Sequence, residues 1–192
     1  LKDMADWYRQ LWAESLGKAV DISGNVVHVG QTPIKALGAT DQHSQVQLYT
    51  EGPNNKIFSF IKVGKFREKC AIPRSFRDIP ELDFLKGADM GTLLNVELDA
   101  TEFALAKVQR PSIRFVMDAI TPESIGGLLY FLEVQTAFAG GLYNIDAFDQ
   151  PGVEEGKKAT AALMGRKTEK DLAKAKEVAD LQRKKKRKPI CM

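Results

Sequence analysis

Two runs rich in β-branched and aromatic residues, 57–63 and 112–120, flank an Ala/Leu-rich segment at 84–107, and an apolar stretch at 126–139 follows. Strand, helix, strand and helix in that order predict an α/β layer with a mostly parallel sheet, because parallel neighbours need a long crossover between them. Helices are predicted at both ends too. Met4, Trp7, Tyr8, Leu11, Trp12 and Leu16 recur at helical spacing, in a segment that ends near Gly17. The segment 152–163 enters a helix through Pro151, and Glu169–Lys186 is a charged helix of Ala, Lys, Glu and Leu. Between these, 20–38 reads as loop around a short extended 26–29, 42–49 as a short helix, and 65–80 as a polar connection. The strand at 112–120 is expected to be buried. So is the helix beginning at Thr121-Pro122-Glu123-Ser124, which is apolar nearly all round and is expected to stop at Gly140-Gly141.

A chain of 192 residues can bury one sizeable core, and its 44% hydrophobic and 28% charged residues match a soluble globular protein. Collagen, wholesale disorder and disulfide-stapled mini-folds are excluded. No apolar run approaches the roughly 18 to 20 residues of a membrane helix. The opening residues show no leader pattern, so no membrane is expected and the cytoplasm is the expected location. An opening Leu-Lys-Asp already close to a helix, without Met, looks cut from something longer. Cys70 and Cys191 are expected to be free thiols of a reducing compartment. With two histidines and no Cys-x-x-Cys or His-x-x-x-His spacing, no metal site is expected. Much of the net charge of +3 lies in Arg183, Lys184, Lys185, Lys186, Arg187 and Lys188. Nucleic-acid binding would rest on that run alone, and a solvated helix end is its simpler reading.

Three polar clusters interrupt the apolar pattern. Ala13-Glu14-Ser15-Leu16-Gly17-Lys18 puts a carboxylate at the C-terminal end of an apolar helix, where the dipole disfavours an anion. Glu14 reads either as a surface residue or as a general base. Gly38-Ala39-Thr40-Asp41-Gln42-His43-Ser44-Gln45 sets a Gly turn and a cap candidate before an imidazole, the side chain that changes charge near neutral pH. His43 reads as structural or as an acid/base, whereas His28, in a Val-rich strand, reads as structural. In the third cluster, 140–157, a loop of small and polar residues feeds a helix whose free amides favour anionic ligands.

That third cluster resembles the C-terminal signature of the phosphoglucose isomerase family, a Gly-containing apolar stretch followed by Phe-Asp-Gln-x-Gly-Val-Glu-x-x-Lys. Phe148, Asp149, Gln150, Gly152, Val153, Glu154 and Lys157 stand at matching intervals. Glu-Ser-x-Gly-Lys at 14–18 and the Gln-His segment at 38–47 resemble the same family, in the same order. The likeness runs to about Arg166 and corresponds to the second half of the bacterial-type enzyme. This sequence lacks the Gly-Gly-Arg signature and the Ser/Thr-rich phosphate loop of the first half.

The resemblance implies a three-layer α/β/α SIS-type (sugar isomerase) domain at 1–166, with a charged helical tail at 167–192. It also implies an aldose–ketose isomerase that interconverts glucose 6-phosphate and fructose 6-phosphate without cofactor or metal. Its partners would be the sugar phosphate, the enzyme's N-terminal half and a second copy in a homodimer. By the same resemblance, Glu14 is the base that moves a proton between C1 and C2, and Gln10, one turn earlier, is a substrate-pocket glutamine. His43 resembles the ring-opening acid/base contributed across the dimer interface, Lys157 its partner in ring opening, and Gln150 a contact to substrate. Lacking the phosphate clamp, the chain alone would be a poor or inactive isomerase. The competing reading is a non-catalytic, sugar-phosphate-binding regulatory module of the same fold, which has no need of Glu14, His43 and Lys157 together.

Overall fold

The structure, a computed structural model, describes residues 1–74 and 79–186, so Arg187, Lys188 and Cys191 lie outside it. Its elements run α1 (Met4–Leu16), β1 (Lys18–Val20), β2 (Val26–Val29), α2 (Thr40–Ser44), α3 (Val46–Glu51) and β3 (Phe58–Lys65). After a 3-10 turn at Pro80–Leu85 come α4 (Met90–Lys107), β4 (Ser112–Ala119), α5 (Pro122–Leu142), α6 (Pro151–Leu163) and α7 (Glu169–Lys186). They gather into two compact units, residues 1–11 with 32–135, and residues 12–31 with those from 136 onward.

In the first unit β3 and β4 pair in parallel, from Phe58 opposite Ser112 to Lys65 opposite Ala119, and α4 supplies the crossover that parallel pairing needs. Strand alternation sends Ile61, Phe115 and Met117 to one face. There Met117 packs with Leu128 and Leu132 of α5 and with Met4, Trp7 and Tyr8 of α1. Phe115 meets Phe131 edge to face, their ring centroids 5.5 Å apart. The opposite face carries charge. Lys62 Nζ lies 2.6 Å from Asp99 of α4, and Arg114 pairs with Asp99 at 3.0 Å and with Glu102. The Lys62 ammonium, with Arg114 beside it, holds the Asp99 carboxyl below its usual range.

Several expectations about this unit need correction. The helix expected at 84–107 starts only at Met90, because Gly87 takes a left-handed φ of 77° and Asp89 caps α4 by accepting from Thr92 N at 3.1 Å. Gln45 leaves the helical region at φ −123° and divides the expected 42–49 helix into α2 and α3. The strand at 112–120 is not buried. Val116 is 62% exposed and Ile113 is exposed too, since a sheet of two strands leaves much of its width uncovered. On α5, Leu128 and Leu132 are buried while Tyr130 and Phe138 are exposed, so an apolar circumference did not ensure burial. This helix is also long and apolar enough to cross a membrane by length and composition, with a mean hydropathy of 1.2 over its window. The expectation that no segment approaches that requirement considered unbroken apolar runs, and Ser, Glu, Gln and Thr break the run without bringing the average down far enough.

The second unit contains an antiparallel β1–β2 ribbon and the α6–α7 pair. β1 was not expected, since three residues are too few to show alternation; Lys18 pairs with Val29, and Val20 with Val26. Asp21 closes the turn by accepting from Ser23 N at 2.9 Å and Asn25 N at 2.8 Å. Gly140 and Gly141 do not stop α5. Glycine weakens a helix without forbidding it, and the stop is Asn144 at φ 57°, where Ile145 N donates to Gly140 O and Asn144 N to Gly141 O, each at 3.0 Å. Gly140 serves close approach instead: a Cβ there would stand 2.7 Å from that of Ala147.

Between α6 and α7, Gly165 at φ 88° reverses the chain and Thr168 begins α7 by accepting from Asp171 N at 3.3 Å. The buried Asp171 carboxylate accepts from Arg166 Nε at 2.6 Å, Arg166 Nη2 at 2.8 Å and Thr168 Oγ1 at 2.6 Å. Guanidinium and hydroxyl together hold its pKa far below the usual carboxylate range. A group whose folded pKa is depressed adds stability above its unfolded pKa, about 4 for Asp, and loses it progressively as pH falls toward the folded value. Thermal melts followed by circular dichroism should therefore show the unmodified chain losing Tm more steeply below about pH 4 than Asp171→Asn. Parallel curves would remove Asp171 from this role.

Candidate functional site

Glu14 occupies the last turn of α1, where the fully buried Leu16 anchors the turn and Glu14 itself stays exposed. The second wall of the site is the loop after α5. Phe148 N donates to Asp146 Oδ1 at 2.8 Å, forming an Asx turn that delivers Asp149 and Gln150 to the start of α6 at Pro151. Gln150 is the residue before α6, yet its side chain does not cap that helix. Its Nε2 donates instead to Glu14 Oε2 at 2.9 Å, joining side chains 136 positions apart.

Lys18 joins the same two segments from below the surface and is only 7% exposed. Its Nζ donates to Glu14 O at 3.3 Å, Ser15 O at 2.7 Å and Asp149 O at 2.8 Å, and the Asp149 carboxylate lies 3.5 Å away. An ammonium has three donors, and here each has a carbonyl. That pairing offsets a desolvation cost of several kcal/mol, and the C-terminal end of a helix is a favourable place for a cation. Beside it lies an open depression of about 890 Å³, lined in part by Lys18, Asp21, His28, Asp146 and Asp149.

Of the residues expected at the site, Glu14 and Gln150 are brought together. Lys157, on the second turn of α6 and with its side chain 65% exposed, pairs with Glu154 at 2.9 Å and holds that carboxyl below its usual range. His43 and Gln10 belong to the first unit, both exposed, on α2 and α1. α2 has only five residues and is held from outside: Gln42 Nε2 donates to Glu97 O at 2.9 Å and Thr101 Oγ1 at 2.5 Å of α4. Asp41 secures its start, accepting from Leu37 N at 2.6 Å and Ser44 Oγ at 2.9 Å. Among the described residues no group of three or more His, Cys, Asp or Glu side chains is arranged to hold a metal ion.

Lys18 and Gln42 lie within the two shorter motifs, but sequence reasoning assigned neither an individual role. A signal for Lys18 was available: a lysine just past a helix end, four residues after Glu14, can reach the last carbonyls of that helix. Nothing in the sequence pairs Lys18 with the Asp149 carbonyl, which lies 131 positions away.

The profile of the phosphoglucose isomerase family matches residues 1–184. A glucose-6-phosphate isomerase of Carboxydothermus hydrogenoformans is 55% identical over 166 residues, covering 86% of this chain and 36% of the relative. One of Rubrobacter xylanophilus is 46% identical over 166 residues, covering 86% of this chain and 37% of its own length. Among solved structures, a hypothetical protein from Thermus thermophilus superposes with a TM-score of 0.80 at 37% identity, over 85% of this chain and 39% of that one. A glucose-6-phosphate isomerase from Chlamydia trachomatis shares the fold with a TM-score of 0.72 at 23% identity, over 94% of this chain and 36% of that one. The chain thus spans a little over a third of the length of these curated relatives. With the profile running from the first residue through most of α7, the chain belongs to the phosphoglucose isomerase family.

Proposed function

We propose that this chain forms part of the active site of a glucose-6-phosphate isomerase, with Glu14 as the carboxylate that carries a proton between C1 and C2 of the open-chain sugar. The observation that carries this reading is the Gln150–Glu14 hydrogen bond, which joins the first and third family motifs at one place. In such a reaction a carboxylate takes the proton from the carbon beside the carbonyl and returns it to the neighbouring carbon through a cis-enediol. It must be held within hydrogen-bond reach of both carbons. The amide of Gln150 donates to that carboxylate and is proposed also as a contact to the substrate.

Ring opening is a separate proton transfer, in which the ring oxygen gains a proton and the anomeric hydroxyl loses one. His43, contributed by the second copy of a homodimer, and Lys157, released from Glu154, are proposed as the pair that performs it, with Gln10 in the sugar pocket. The remaining parts of the reading are a three-layer α/β/α SIS-type domain at 1–166, a charged tail at 167–192, an N-terminal partner segment and a cytoplasmic location. Packing of Leu128 and Leu132 of α5 against Met117 supports reading that helix as a core element rather than a membrane span.

Two preparations test the proposal: the 192-residue chain alone, and a chimera in which it replaces the matching stretch of the Carboxydothermus relative. A coupled assay from fructose 6-phosphate to glucose 6-phosphate should find turnover in the chimera and little in the chain alone. A folded but inactive chimera overturns the proposal, and full turnover by the chain alone refutes its dependence on a partner segment. Solvent deuterium entering C2 of bound sugar phosphate separates an isomerase from a regulatory module, which binds without exchange.

A further inference from the structure

We propose that Lys18 is a positioning residue for the isomerisation: its buried ammonium locks the last turn of α1 to the 146–150 loop and so sets the Glu14–Gln150 pair. The inference deepens the proposed function and rests on Glu14 being the proton-transfer carboxylate. The Gln150–Glu14 bond and the Lys18 contacts join the same two segments, and they differ in kind. The Gln150–Glu14 hydrogen bond joins two exposed side chains at the surface, where water competes for its donor and acceptor. Lys18 sits beneath it with its side chain 5% exposed and with acceptors on both segments, Glu14 O and Ser15 O on one and Asp149 O on the other.

Each contact falls next to a site residue. Glu14 O belongs to the candidate base itself, and Asp149 is the residue before Gln150. Removing the ammonium therefore takes a donor away from carbonyls on both segments and leaves the exposed Gln150–Glu14 bond without the buried support beneath it. Lys18 donates to the main-chain oxygen of Glu14, so it acts on this residue by geometry. Loose positioning of a reacting group by about 1 Å costs on the order of 10²-fold in rate, whereas substrate binding, spread over many contacts, is less affected.

The test uses Lys18→Met, which preserves the length of the stem and removes the donors. In the 192-residue chain, nitrogen-15 spectra should show the Gln150 side-chain amide moving toward the shift and exchange rate of a solvated amide, while the backbone amides of α4 and β4 are unchanged. In the chimera kcat should fall roughly 10²-fold with KM within about two-fold, and Lys18→Arg should recover part of the loss. An unmoved Gln150 amide in a folded Lys18→Met chain overturns the inference, as does a loss expressed in KM alone. Should Lys18→Met not fold, the unmodified chain still decides: a slowly exchanging Lys18 ammonium signal with contacts to Ser15 and Asp149 is expected, and its absence rejects the clamp. The amide measurement stands apart from Glu14's chemistry. If Glu14→Gln retains full exchange at C2 while Lys18→Met still frees Gln150, the functional reading has failed and the clamp has not.

Discussion

Replacing Glu14 by Gln in the active chimera is expected to lower isomerisation by roughly 10² to 10⁴-fold, the usual contribution of a positioned acid/base group, while glucose 6-phosphate binding stays within a few-fold. The split follows from what the substitution retains. An amide keeps the shape of the side chain and an oxygen that can still accept from Gln150 Nε2, the bond that measures 2.9 Å with Glu14. It cannot take a proton from carbon and give it back. Solvent deuterium incorporation at C2 and the dissociation constant for glucose 6-phosphate, measured on the same preparation, check the two halves of this expectation. Undiminished incorporation would take the proton-transfer role away from Glu14. A large loss of binding with normal incorporation would make Glu14 a substrate contact instead.

Truncating Leu132 to Ala is expected to cost about 2 to 5 kcal/mol of stability, the range for a buried leucine whose cavity only partly collapses. Leu132 is 4% exposed and shares its cluster with Met117 and Leu128, with Trp7 and Tyr8 of α1 packed against it. In a chain of this size each kcal/mol lowers Tm by about 2 to 4 °C, so the variant should melt roughly 4 to 20 °C below the unmodified chain. Phe138 on the same helix provides the control. It is 72% exposed, and Phe138→Ala should change stability by no more than about 0.5 kcal/mol. Equal losses at the two positions would show that the two sides of α5 are not distinguished by burial as described.

Much of the first unit was legible because its elements carry their own period. The spacing of Met4, Trp7, Tyr8, Leu11, Trp12 and Leu16 marked α1, with its end expected near Gly17 and found at Leu16, and the β-branched run at 57–63 fell within a residue or two of β3. Ends were harder. α4 begins only after Gly87 and Asp89, whose effect depends on a single backbone torsion and one cap, and neither alters the Ala/Leu spacing that marked the segment. Burial was read least well. Val116 and Phe138 look like core residues by type, but burial is a property of the neighbours that cover a side chain and not of the side chain alone.

Residue patterns alone carried the order of the longer elements from β3 to α7, the parallel pairing that this order demands, and the family, because these rest on local periodicity and on spacings within short motifs. Tertiary structure alone decided that Gln150 reaches Glu14, that Lys18 holds both of their segments, and that Asp171 is buried beneath Arg166 and Thr168. The first two depend on contacts across more than a hundred positions, which no local pattern specifies. Hydrogen bonding is short-ranged and directional, so which donor meets which acceptor is settled only once the backbone has brought distant segments to within about 3 Å.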